Sequence, residues 1–162
     1  MIEYIIAALK GLPKEAIVLI LGALPVSELR GAIPAAVAFG FSPLKAYCIA
    51  FIGNTIPVIP LLFLLEPVSN ILRKLPVFNS FFNWLFERTR KKASLVEKFE
   101  ALGLILFVAI PLPITGAWTG CVAATLFKVR FRWALPAILI GIDLAGAIVI
   151  TLTLAGKSIF AN

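Results

Sequence analysis

The chain has 162 residues, 61% of them hydrophobic and 14% charged, with a mean hydropathy of +1.05 and a formal net charge of +7. A globule of this size has too little interior to hide so much apolar surface, which excludes an ordinary soluble domain and implies a single-domain integral membrane protein. The basic residues cluster between apolar segments, as cytoplasmic loops and headgroup contacts do, so nucleic acid is not an expected partner.

Residues 1–15 read as a short amphipathic helix at a membrane surface, ended near Gly11-Leu12-Pro13. Glu3, followed by Lys10 and Lys14 behind a short apolar patch, is the wrong charge order for a cleaved secretory signal, so this stretch is read as part of the mature protein. The first apolar block, 16–40, is long enough to cross a bilayer but is interrupted by Pro25, Glu28, Arg30, Gly31 and Pro34. Two charges at such depth cost about 2.5–3.5 kcal/mol each on insertion scales and face a partner or a wet cavity. The prolines remove backbone donors, so the helix cannot run straight through.

The second block, 44–72, carries Gly53-Asn54-Thr55 and then Pro57 and Pro60, and reads as a kinked spanning helix. Residues 73–100 form a basic amphipathic linker. Phe78, Phe81, Phe82, Leu85 and Phe86 recur there at helical spacing, and Arg88, Arg90, Lys91 and Lys92 follow as a headgroup-facing run. The third block, 102–127, is broken by Pro111, Pro113, Gly116 and Gly120 around Thr115, Trp118 and Thr119. A short basic link, Lys128, Arg130 and Arg132, leads to Trp133 as an interfacial anchor. The last block, 133–156, reads as a spanning helix containing Gly141, Asp143 and Gly146.

Charge bias sets the topology. The segment 73–100 holds seven basic and three acidic residues, and the link 128–132 holds three basic and no acidic ones, so both are expected on the cytoplasmic side. That is possible only if 102–127 is a re-entrant hairpin, with its proline–glycine centre as the turn. The same logic makes 16–40 a hairpin entering from the outer face. The chain then comprises two units of hairpin, basic link and spanning helix, with corresponding landmarks about 85–89 residues apart. A hairpin plus one span crosses an odd number of times, so the second unit is inverted. The expected fold is an all-α integral membrane protein of two inverted repeats with interfacial amphipathic helices. The plainer alternative is four ordinary spans with proline kinks.

Among candidate site residues Glu28 leads: a carboxylate at membrane depth can bind and release a proton, or hold sodium or a cationic substrate. Its structural alternative is an internal pair with Arg30, which needs non-helical backbone because i and i+2 do not face each other on a helix. Arg30 itself suits either a counter-ion or a fork for a phosphate oxygen. Asn54 and Asp143 occupy similar places in the two spanning helices. Thr115, Trp118 and Thr119 offer hydroxyls and an indole donor, while the nearby glycines also suit close helix packing.

The chain has no histidine, and its two cysteines, Cys48 and Cys121, lie within apolar segments and read as buried free thiols. No metal or cofactor is therefore expected. With neither a nucleophile–base pair nor a phosphate-cradling glycine loop, no enzyme is expected either.

The strings Glu28-Leu29-Arg30-Gly31-Ala32-Ile33-Pro34 and Pro111-Leu112-Pro113-Ile114-Thr115-Gly116-Ala117-Trp118-Thr119-Gly120 give the chain a resemblance, over nearly its whole length, to a group of prokaryotic membrane proteins labelled small multidrug export proteins. That group is distantly similar to the DedA (SNARE-associated, VTT-domain) superfamily, whose first hairpin carries a Pro-x-Ser-Glu element matched by Pro25, Ser27 and Glu28. The resemblance implies two facing re-entrant hairpins and movement of a lipid, such as a polyprenyl phosphate or a phospholipid, between leaflets of the cytoplasmic membrane. Members carry arginines around the second turn; this chain has none between Gly103 and Phe127.

The resulting expectation is a multi-pass lipid or amphiphile transporter of the prokaryotic inner membrane. In it Glu28 would couple to protons or sodium opposite the Thr115–Gly120 turn, and Arg30 would orient the headgroup. Four segments leave little room for a whole pathway, so a homodimer is expected. The alternatives are a proton-coupled exporter of small cationic drugs and a non-transporting membrane scaffold.

Overall fold

The structure is a computed structural model that describes residues 11–72, 101–111, 115–127 and 129–160. It is helical, with no strand among the described residues. Two short helices, α1 (Lys14–Ala23) and α2 (Glu28–Ala38), precede a long kinked one made of α3 (Pro43–Thr55) and α4 (Val58–Leu72). Two more short helices, α5 (Ala101–Ala109) and α6 (Ala117–Leu126), precede the 30-residue α7 (Phe131–Phe160).

Local chemistry explains most boundaries. Leu24 is extended, at φ −78° and ψ 136°, because it precedes Pro25, and α1 stops there. Helix α3 opens with Pro43, whose missing N–H costs nothing at the first position, and the Ser42 hydroxyl accepts from the Lys45 amide. The kink at Ile56 and Pro57 falls where two prolines, Pro57 and Pro60, supply no N–H to the carbonyls of Gly53 and Ile56.

Length separates the helices into two kinds. The short ones have 9–11 residues, which at 1.5 Å per residue makes each about 15 Å long, half a hydrocarbon core of about 30 Å. Pro43–Leu65 and Phe131–Ile159 are long and apolar enough to cross it. Their outer faces are apolar as well: Leu44, Ile52, Ile59 and Phe63 on one, and Ile140, Leu144, Ile148 and Leu152 on the other, are exposed. Apolar residues both inside and outside are the mark of helices that face lipid.

The chain divides into two compact units, one of residues 1–56 and 142–162, the other of residues 57–141. In the first, α1 packs on α2 and α3, and α2 also packs on α3. Its core is Val18, Leu21, Ala32, Ile33, Ala36, Ala46 and Ala50. Gly22 and Gly53 bring the backbones of α1 and α3 together: a Cβ on Gly22 would lie 2.8 Å from the Ala50 carbonyl oxygen, and one on Gly53 would run into that of Leu19. In the second unit, α6 packs on α4 and α5 around Leu104, Val108, Cys121 and Ile138. There a Cβ on Gly120 or on Gly141 would strike Val108.

Several expected boundaries shift. Lys14 and Glu15 open α1 and do not belong to a preceding surface helix, since Pro13 ends the loop that would separate them. Phe131 and Arg132 belong to α7, so the basic link is shorter than expected and the last helix exceeds 133–156 at both ends. Gly31 and Pro34 lie inside α2, and Gly120 inside α6; none of them forms a turn. Pro34 is tolerated because it denies a donor only to the carbonyl of Arg30, one turn earlier. Residues 1–10, the 73–100 linker with Arg88, Arg90, Lys91 and Lys92, and also Pro113 and Lys128, lie outside the described residues.

Candidate functional site

The break between α1 and α2 is four residues long. Pro25 and Val26 form its exposed tip, while Ser27 and Glu28 turn inward, 2% and 8% exposed. A helix end leaves its last four carbonyls without intrahelical donors. Here the Leu24 amide takes that of Ile20 at 3.1 Å, and the Ser27 hydroxyl donates to that of Leu21. The Glu28 amide then donates to the Leu24 carbonyl at 3.0 Å, and Gly31 to Ser27 at 2.9 Å, which starts α2.

Glu28 has φ +45°, the one positive φ at a non-glycine residue among those described. Such backbone costs of the order of 1 kcal/mol or more and persists only where its surroundings enforce it. The enforcing contacts are the Ser27 hydroxyl on one side and the first turn of α2 on the other. The departure from helical geometry also answers the objection to an i, i+2 pair between Glu28 and half-buried Arg30. The site therefore holds a buried carboxylate, a guanidinium and the carbonyl end of α1, whose partial charge is negative.

Asn54 belongs to the same unit. It is 2% exposed, and its main-chain nitrogen lies 3.2 Å from where a Cβ of Gly22 would stand, which places it against the last turn of α1. Asn54 Oδ1 and Thr55 Oγ1 are buried without a hydrogen-bond partner among the described residues.

Asp143 differs from Asn54 in being exposed, and it has a partner that the sequence reading missed. The Tyr47 hydroxyl donates to Asp143 Oδ1 and lies 3.3 Å from the Asp143 carbonyl oxygen. Gly146 makes room for that ring, since a Cβ there would stand 2.7 Å from Tyr47 Cε2. The available signal was a lone tyrosine and a lone aspartate inside two apolar helices, each needing a polar partner.

The second break repeats the device of the first. Thr115, 8% exposed, donates its hydroxyl to the Ile110 carbonyl at 2.5 Å, and Gly116 takes φ 152°, open to glycine alone. Thr119 donates to the Gly116 carbonyl at 3.2 Å, and Trp118 is half-buried. Both hydroxyl protons are thus committed to backbone carbonyls.

At the start of α7, Arg130 and Arg132 are exposed, and the Arg132 guanidinium lies 5.7 Å from the centre of the exposed Trp133 ring. Cys121 is buried and free, its thiol 3.8 Å from the Val58 carbonyl. Cys48 is free but exposed on the outer side of α3, contrary to the buried reading. The described residues contain no cluster of His, Cys, Asp and Glu able to hold a metal.

A family model described as "Putative small multi-drug export protein" matches residues 28–148, a stretch that begins at Glu28, directly after the first break, and takes in the second. The chain belongs to this family. No curated protein and no solved structure matches it. The small multi-drug export family and the two apolar helices together make this a membrane protein whose family points to export.

Proposed function

We propose that this protein is a DedA-like transporter that moves an amphipathic or lipid substrate between the leaflets of the prokaryotic inner membrane, with Glu28 as its coupling group. The observation that carries this reading is the buried, left-handed Glu28 at the break between two half-membrane helices, two residues before half-buried Arg30. A carboxylate so placed takes up a proton or cation from one side and surrenders it to the other. Arg30 then orients an anionic headgroup whenever the carboxylate is neutralised.

In this reading each short pair, α1–α2 and α5–α6, is a re-entrant hairpin, because 9–11 residues reach only half-way. The two hairpin-plus-span repeats are inverted, and a homodimer completes the pathway. A second reading, proton-coupled export of small cations, is favoured by the family description and by a second break with hydroxyls and no described charge.

The test is Glu28→Gln and Arg30→Ala in reconstituted vesicles, with lipid translocation and cationic dye efflux measured in parallel. Both substitutions are expected to reduce lipid movement at least tenfold. Loss of dye efflux alone would select the second reading, and a folded parent that moves neither would leave a membrane scaffold. Single cysteines at Ser94 and Lys128, in a chain freed of Cys48 and Cys121, are expected to react with an impermeant thiol reagent from one and the same face. Labelling from opposite faces would sink the second hairpin.

A further inference from the structure

The kink of the first long helix carries neighbouring acceptors, Asn54 Oδ1 and Thr55 Oγ1, that are buried and have no hydrogen-bond partner among the described residues. A buried polar atom left in this way costs about 1–3 kcal/mol, more at membrane depth, and calls for a ligand or water. The flanking main chain adds to the deficit. Pro57 cannot donate to the carbonyl of Gly53, nor Pro60 to that of Ile56, so two backbone oxygens beside Asn54 and Thr55 receive no i→i−4 bond. The last turn of α1 abuts the same place through Gly22 and brings the negative end of its dipole. Amide, hydroxyl, carbonyl and dipole all present negative potential, at the middle of the apolar span Pro43–Leu65.

We infer that the Gly53–Ile56 kink is a binding site for a single alkali-metal cation, held by Asn54 Oδ1, Thr55 Oγ1 and the carbonyls of Gly53 and Ile56. The donor set decides the class of ion. All four ligands are neutral oxygens, whereas calcium and magnesium sites are built on carboxylates. Softer metals take thiolate or imidazole, and no such group belongs to the set. A proline-kinked stretch of a spanning helix, still helical at Ile56 but with carbonyls that the prolines leave without donors, can offer main-chain oxygens to a monovalent ion, which removes the cost of the freed carbonyls. The site needs no particular cargo, so it stands independently of the transport reading.

The test is thermal unfolding of the purified full chain in detergent, followed by tryptophan fluorescence, in sodium, potassium or choline chloride at equal ionic strength. At a tenfold excess over Kd, the better alkali cation is expected to raise the midpoint by about 3–6 °C over choline. Asn54→Leu and Thr55→Val keep size and remove the oxygen, and each is expected to abolish or halve that rise. Pro57→Ala, which returns a donor to the Gly53 carbonyl and favours the helix, is expected to weaken the response without harming folding. Equal midpoints in all three salts would mean that the kink holds only water, and the inference would fail. A full alkali response in all three variants would equally overturn it. No gradient or substrate enters this measurement, so its failure would not be confused with failure of the vesicle assay.

Discussion

Ser27 donates its hydroxyl to the main-chain carbonyl of Leu21 across the first break, and Thr115 does the same to Ile110 across the second. In both, the hydroxyl residue lies just before the second helix of a pair and satisfies a carbonyl at the end of the first. The two breaks thus share a closing device, although they differ in charge: the first carries Glu28 and Arg30, while the described part of the second carries none. The serine of the Pro25-x-Ser27-Glu28 element is accordingly a structural clasp beside a chemical group.

Removing either clasp leaves a main-chain carbonyl without its donor, buried at Leu21 and part-buried at Ile110, which costs about 1–3 kcal/mol. Ser27→Ala and Thr115→Val are each expected to lower unfolding stability in detergent by that amount, with Ser27→Thr milder. Ser27→Ala is also expected to slow transport, because the clasp enforces the backbone of Glu28. An alanine variant as stable and active as the parent would show that the bond carries nothing.

The positive φ of Glu28 predicts opposite effects on stability and function. Glu28→Gly relieves the left-handed backbone and is expected to raise stability by about 1 kcal/mol, less the packing lost with the side chain. Glu28→Gln keeps the strain. Both are expected to abolish coupled transport. A destabilised glycine variant together with a stabilised glutamine variant would reverse the assignment of strain to this residue.

Glu15 and Lys45 join the start of α1 to α3 through an ion pair of 2.6 Å at an exposed position. The hydrogen bond from Lys45, followed by one from the backbone, holds the Glu15 carboxyl below its usual 4.5. A depressed carboxylate stabilises the fold above its unfolded pKa, and that contribution is lost as pH falls through the lower, folded value. The acid limb of the stability curve, below about pH 4.5, should therefore flatten in Glu15→Gln. Because the pair is exposed, the difference should shrink in high salt. Identical acid limbs in parent and variant would remove the pair from the account.

Much of the site was legible because its signals are local. Proline deletes a donor wherever it stands, so Pro25 and Pro57 marked a break and a kink in the right places. The same reasoning overreached at Pro34 and Gly120, which sit inside helices whose neighbours offset the local cost. It could not find Tyr47, because its partner Asp143 is 96 residues away along the chain and only packing brings them together.

The sequence alone determined that this is a membrane protein, that two of its apolar blocks are interrupted, and that Glu28 is the group to question. Hydropathy, missing donors and buried charge are properties of residue types in order. Only the tertiary structure decided that Ser27 closes the first turn, that Glu28 is held left-handed beside Arg30, and that Asn54 and Thr55 bury oxygens at a kink without a hydrogen-bond partner among the described residues. Those outcomes depend on which backbone approaches which, down to a glycine too close to its neighbour for a methyl group, and no one-dimensional pattern encodes that distance.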